Sequence, residues 1–139
     1  MNEPEVGYFH LHNDAGLNFT LNRLAQSIDK DELQCIASRI NSLEDWIREM
    51  KAAGEKAEQD GRLIEAARYY QGAEFYMENG DDEKVEVYTR SLELFNRALP
   101  EVAADRDSVP YESGFLPIIR VARSAKNAVR LLFTAALMG

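Results

Sequence analysis

With 139 residues, 45% hydrophobic and 29% charged, the chain has the composition of a globular protein of one domain, or of one domain and a fragment of another. Twenty-four acidic against sixteen basic residues leave a net charge of −8, which argues against nonspecific binding to DNA or RNA. A single cysteine, Cys35, excludes a disulfide within the chain.

The opening MNEPEVG is acidic and not apolar, so it does not read as a signal peptide. The longest apolar run, Ala128 to Met138, contains Arg130 and is too short to span a bilayer. A cytoplasmic location with no membrane partner is therefore expected. Every acidic residue lies at or before Glu112, and Arg120, Arg123, Lys126 and Arg130 follow without an acid. That asymmetry marks the tail as a separate structural unit.

Taken in order, residues 1–16 read as irregular, punctuated by Gly7, Asn13-Asp14 and Gly16. If extended, Tyr8 to Asp14 would place His10, His12 and Asp14 on one side. A zinc site needs three or four ligands, and no others stand nearby, so the expectation is a polar arm lying on a helical core, with no metal and no cofactor. Asn18 is placed to cap a short helix, Phe19 to Ser27, anchored by Phe19, Leu21 and Leu24. Asp29 caps the next helix, which ends near Ile40 and turns Cys35 away from Leu33, Ile36, Ala37 and Ile40. An inert surface cysteine is expected, because a reactive thiolate needs a neighbour that lowers its pKa. Ser42-Leu43-Glu44-Asp45 is a capping-box variant that opens a helix with Leu43, Trp46, Ile47, Met50, Ala53 and Ala57 on one face, ended by Gly61.

The stretch Arg62 to Asn79 reads as the central helix. Leu63, Ala66, Ala67, Tyr70, Ala73 and Met77 recur at helical spacing, with Ile64, Phe75, Tyr69 and Tyr76 on the flanks. So much apolar surface demands neighbours on more than one side. Gly80 stops this helix and Asp81 or Asp82 starts the next, whose stripe is Val85, Tyr88, Leu92, Phe95 and Leu99, with Pro100 beyond. Short connections imply antiparallel neighbours. Residues 108–112 then read as an edge strand containing Pro110, Ser113-Gly114 as a turn, 115–122 as a second strand and 129–133 as a third if the pattern continues. The fold class expected is mainly α: an antiparallel helical bundle over residues 1–105, followed from residue 106 to 139 by a short β-hairpin that starts a sheet. Open strand edges would permit homo-oligomerisation.

The sequence holds no Gly-x-Ser-x-Gly elbow, no phosphate-cradling glycine loop, no His-Glu-x-x-His and no paired cysteines. Glu74 falls within the apolar stripe of the central helix, where a carboxylate must be paired, hydrogen-bonded or protonated. A helix terminus, an arginine or a tyrosine hydroxyl is its expected partner. The helix pair 43–60 and 62–79 is similar to one copy of a tetratricopeptide repeat, but such arrays need about three. A stand-alone helical protein-interaction module is thus the alternative function. Placing the basic 120–130 stretch on an anionic membrane surface is a third, weaker option.

Three pieces taken together resemble one family: Asn18-Phe19-Thr20-Leu21-Asn22-Arg23, Ala67-Arg68-Tyr69-Tyr70-Gln71-Gly72-Ala73-Glu74-Phe75-Tyr76-Met77, and Val109-Pro110-Tyr111-Glu112-Ser113-Gly114-Phe115-Leu116-Pro117. Their order is similar to the N-terminal part of α/β-hydrolases that carry a helical cap ahead of the catalytic sheet, including fermentation-respiration-switch type esterases and dihydroxypseudooxynicotine hydrolase-like enzymes. The resemblance covers about residues 17 to 122. It implies a cap that shapes the substrate pocket and a hairpin that begins the catalytic sheet. Such hydrolases attack an ester, amide or activated carbon–carbon bond with a serine nucleophile, a histidine base and an oxyanion hole. Those elements lie beyond the matching region, so no catalytic residue carries over, and a small-molecule substrate is expected only with a complete catalytic domain. Phe19, Asn22 and Arg23 are the candidates for a pocket-facing surface.

After Val129-Arg130-Leu131 the family would run into a His-Gly-Gly oxyanion loop. This sequence instead has Leu132 to Gly139, LFTAALMG. With suitable codons, a shifted frame through the same bases spells Phe-His-Gly-Gly-Phe-Asp-Gly. The expectation is a hydrolase chain shifted out of frame just before its oxyanion loop.

Overall fold

The structure, a computed structural model, describes residues 7–100, 106–122 and 129–133. It consists of two compact units, Met1–Phe95 and Asn96–Gly139. The protein is mainly helical, with antiparallel strands after the helices. Among the described residues, no helix is long and apolar enough to cross a membrane. The last six residues and the start of the N-terminal arm, 1–6, lie outside the described residues.

Five helices are described, and all but the last three residues of the fifth lie in the first unit. Helix α1, Ala15–Leu24, begins earlier than its sequence predicts, because Asp14 caps it by accepting the Leu17 N–H at 2.9 Å. Asn18 is therefore an internal residue of the helix and it is buried. Its Oδ1 accepts the N–H groups of Leu11 at 2.7 Å and His12 at 3.0 Å. One turn on, Asn22 accepts the Phe9 N–H at 2.7 Å and donates to the Phe9 carbonyl at 2.9 Å. Two asparagines thus act as a substitute strand for the arm, whose Leu11 is buried in the core. Phe19 turns outward with 57% of its surface exposed, so the helix is anchored by Leu17, Leu21 and Leu24.

Replacing Asn18 with leucine keeps the branched shape but strands two backbone donors. It is expected to cost about 2–3 kcal/mol and to raise amide exchange at Leu11 and His12. Unchanged exchange at those two amides would refute the clamp.

Helix α2, Lys30–Ala37, carries the expected Asp29 cap, which accepts from Asp31 N and Glu32 N. It ends before Ile40, yet Ile40 remains buried. Helix α3, Leu43–Gln59, opens on Ser42, whose hydroxyl accepts the Asp45 N–H. Asp45 returns a bond to the N–H of Asn41, one residue outside the usual capping box. Trp46, Met50, Gly54 and Ala57 form its buried face, while Leu43 is exposed. Gly61, with φ of 76°, takes the left-handed conformation that stops the helix.

Helix α4, Leu63–Phe75, packs against α3 and α1. The contact with α3 is close: a Cβ added at Gly54 would lie 3.1 Å from the Tyr70 ring. The helix is shorter than the apolar pattern to Asn79 predicts. The Tyr76 N–H bonds Ala73 O, a tighter turn than the α-helix, and the Gly72 carbonyl instead accepts the indole N–H of Trp46 at 2.8 Å. Past that break Met77 is buried, and Phe75 lies 60% exposed rather than flanking the core.

Helix α5, Asp82–Ala98, follows Gly80, whose φ is 93°. Its buried residues are Val87, Ser91 and Leu94, with Phe95 partly buried. The predicted stripe is mostly outside: Val85 is 64% exposed, and Tyr88 and Leu99 are also exposed. The helix is rotated by roughly a quarter turn from the orientation its apolar residues predict, at about 100° per residue. Ser91 is fully buried and donates its hydroxyl to Tyr88 O at 2.7 Å. Lys51 pairs with Glu83 and Arg90 with Glu58, which links α5 to α3.

In the second unit, β1 (Arg106–Tyr111), β2 (Gly114–Ala122) and β3 (Val129–Phe133) form an antiparallel sheet in the order β1-β2-β3. The third strand of the predicted pattern is present. Tyr111 pairs with Gly114, so the turn residues are Glu112 and Ser113, one position before the predicted Ser113-Gly114. Glu112 adopts φ of 48°, a region that favours glycine or asparagine. Pro110 lies on β1, an edge strand, where a missing donor is tolerated.

Candidate functional site

The three residues singled out by sequence separate in space. Phe19 is a solvent-facing ring, Asn22 is committed to Phe9, and Arg23 lines a cleft of about 250 Å³. Arg23 sits in the last turn of α1. Across the cleft, α4 contributes Arg68, Gln71, Gly72 and Phe75, and α5 contributes Tyr88.

Arg68 lies inside the central motif, but nothing in its spacing sets it apart there. Its Nη1 donates to Gln71 Oε1 at 3.1 Å and its Nη2 to the Arg23 carbonyl at 3.3 Å, which satisfies a terminal carbonyl of α1. Its Nε is buried without a hydrogen-bond partner among the described residues. Burial, and then the neighbouring Arg23 guanidinium, push Arg68 below the ordinary arginine range. Arg39, Arg48, Arg62 and Arg90 of the helical unit all touch a carboxylate. Among the described residues, Arg23 and Arg68 have no such partner. In a chain with an excess of acids this is an uncompensated pair of like charges. Glu74 lines the same cleft, but it is partly exposed and its carboxylate is turned to Lys84 Nζ at 3.6 Å. It is not the buried acid that its place in the stripe predicts.

The carboxylate that does serve the core is Glu32 on α2. Its Oε1 accepts the Tyr69 hydroxyl at 2.7 Å, and Arg62 forks onto both oxygens at 2.9 and 3.1 Å. No sequence signal pairs Glu32 with the other two, since thirty residues or more separate it from each. Both histidines make hydrogen bonds within the helical unit. His12 Nε2 donates to Ile40 O at 2.9 Å while its Nδ1 accepts the Asp14 N–H, and His10 bonds Asn13. Among the described residues, no three His, Cys, Asp or Glu side chains are grouped to hold a metal. Cys35 is exposed, as expected, with Arg39 Nη1 3.4 Å from its sulfur.

No protein-family model matches the chain, and no curated protein does. Among solved structures it is similar to one described as AbyA5 wild type, with a TM-score of 0.53 and 21% identity. The match covers 78% of this chain and 32% of that one, so this chain spans about a third of its length. At that identity the likeness concerns the fold alone.

Proposed function

We propose that this chain is the helical cap of an α/β-hydrolase, joined to the first strands of the catalytic sheet. The observation that carries this is the order of the two units: a helical unit, then an antiparallel meander beginning at Arg106. It is the order of the hydrolases that the sequence resembles. A fold-level likeness spread over most of this chain and a third of a longer one is consistent with it. Of the three residues considered for substrate recognition, Arg23 retains that assignment. Asn22 has its hydrogen bonds committed, and Phe19 does not line the Arg23 cleft. The chain alone is expected not to hydrolyse p-nitrophenyl esters, because it contains no serine elbow.

The coding DNA read in all three frames from codon 125 tests the proposal. A neighbouring frame that yields His-Gly-Gly and later Gly-x-Ser-x-Gly is the expected result, and restoring that frame should restore esterase activity. Early stops in both other frames would count against it. They would favour the helical interaction module, for which the close α3–α4 hairpin at Gly54 and Tyr70 is the supporting feature.

A further inference from the structure

We propose that the cleft between α1, α4 and α5 is a binding site for a small carboxylic acid, held through its carboxylate by Arg23 and Arg68 with its apolar body against Leu24, Phe75 and Tyr88. The inference stands on the cleft and not on the hydrolase assignment. Arg23 and Arg68 line one cleft and neither is paired with a carboxylate, whereas Arg39, Arg48, Arg62 and Arg90 all are; the one carboxylate of the lining, Glu74, is turned to Lys84. A guanidinium presents a planar fork that matches a carboxylate in two parallel bonds. The positions around the charges select the rest of the ligand. Phe75 and Tyr88 expose aromatic surface that a ring or short chain would remove from water, and Leu24 and Gly72 provide the cleft with apolar walls. Gln71 and Thr20 add polar groups at the rim. A cleft of about 250 Å³ is smaller than most drug-sized sites, so the ligand is a single-ring or short-chain acid. Glu74 at the edge, held by Lys84, would repel a second negative group and so favours a monoanion.

Benzoate is the probe. Titrated into the intact chain and followed by amide and side-chain NMR shifts, it is expected to move Arg23, Arg68, Gln71 and Phe75, with a Kd on the order of 1 mM. Benzamide, its neutral isostere, should bind at least about fivefold more weakly, because it offers no charge to either guanidinium. Arg23→Gln alters an exposed side chain, and it should weaken benzoate by about fivefold or more without lowering the melting temperature measured in the absence of benzoate. Equal shifts with benzoate and benzamide, or an affinity unaltered by Arg23→Gln, would overturn the site. Inorganic phosphate binding as tightly as benzoate would overturn the apolar part of the assignment. A failed titration leaves the frame-reading test untouched, and closed frames leave the titration untouched.

Discussion

Replacing Trp46 with alanine is expected to cost the helical unit about 3–5 kcal/mol, the range for removing a large buried aromatic. Trp46 is fully buried in the first turn of α3 and connects three things at once. Its indole N–H satisfies the Gly72 carbonyl at 2.8 Å, where α4 gives up its regular hydrogen bonding. Its ring meets Tyr76 edge-on, with centroids 5.4 Å apart. Its volume fills the space between α3 and α4. Phenylalanine separates these contributions: it keeps much of the packing but leaves the Gly72 carbonyl without its donor, at a cost of about 1–3 kcal/mol. Urea unfolding followed by far-UV circular dichroism measures both, and is required because Trp46 is the sole tryptophan. A loss below about 1 kcal/mol for the alanine variant would mean that the α3–α4 interface is not the centre of the core.

The second large effect lies at Glu32. Removing it in Glu32→Ala strands the hydroxyl of Tyr69, a fully buried residue, and leaves the Arg62 guanidinium without its fork, so about 2–3 kcal/mol should be lost. The full penalty of a buried ion pair is not expected, because about a third of both charged side chains remains exposed. The carboxylate also has a pH signature. Burial acts to raise its pKa, but the hydrogen bonds from Arg62 and Tyr69 together outweigh burial and hold it below the ordinary 4.5. A lowered folded-state pKa means that the unfolded chain binds the proton first. The contribution is present above 4.5 and disappears as pH falls through the depressed folded value. Glu32→Gln should therefore narrow its stability difference from the parent as the pH drops below about 4.5. An offset that stays constant from neutral pH to acid would show that the charge of Glu32 is not what Tyr69 and Arg62 require.

Much of the helical unit is legible in the sequence because helices are local objects. Asp29, Ser42 and Gly61 mark ends through short-range chemistry, and they act where the sequence places them, whereas Gly80 lies beyond the end of the helix it is expected to stop. The hairpin is legible for the same reason, with an error of one residue at Glu112, since a left-handed glutamate carries no turn signal. At α1 two residues compete to cap, and only the arm decides between them: Asn18 is occupied by Leu11 and His12, so Asp14 caps.

Periodicity gives an apolar face but not the direction in which that face points. Val85 and Tyr88 are apolar yet exposed, while Ser91 is buried, because α5 turns Val87 and Leu94 inward in their place. The same distinction governs the candidate site. Composition and charge by themselves determine an acidic helical chain with a basic tail and no catalytic motif. Which carboxylates pair with which arginines is decided by tertiary structure, since Glu32, Arg62 and Tyr69 meet only when α2 lies against α4. Arg23 and Arg68 stand together without an acid for that reason: electrostatic partners are fixed by distance in space, and forty-five residues of sequence separate these two.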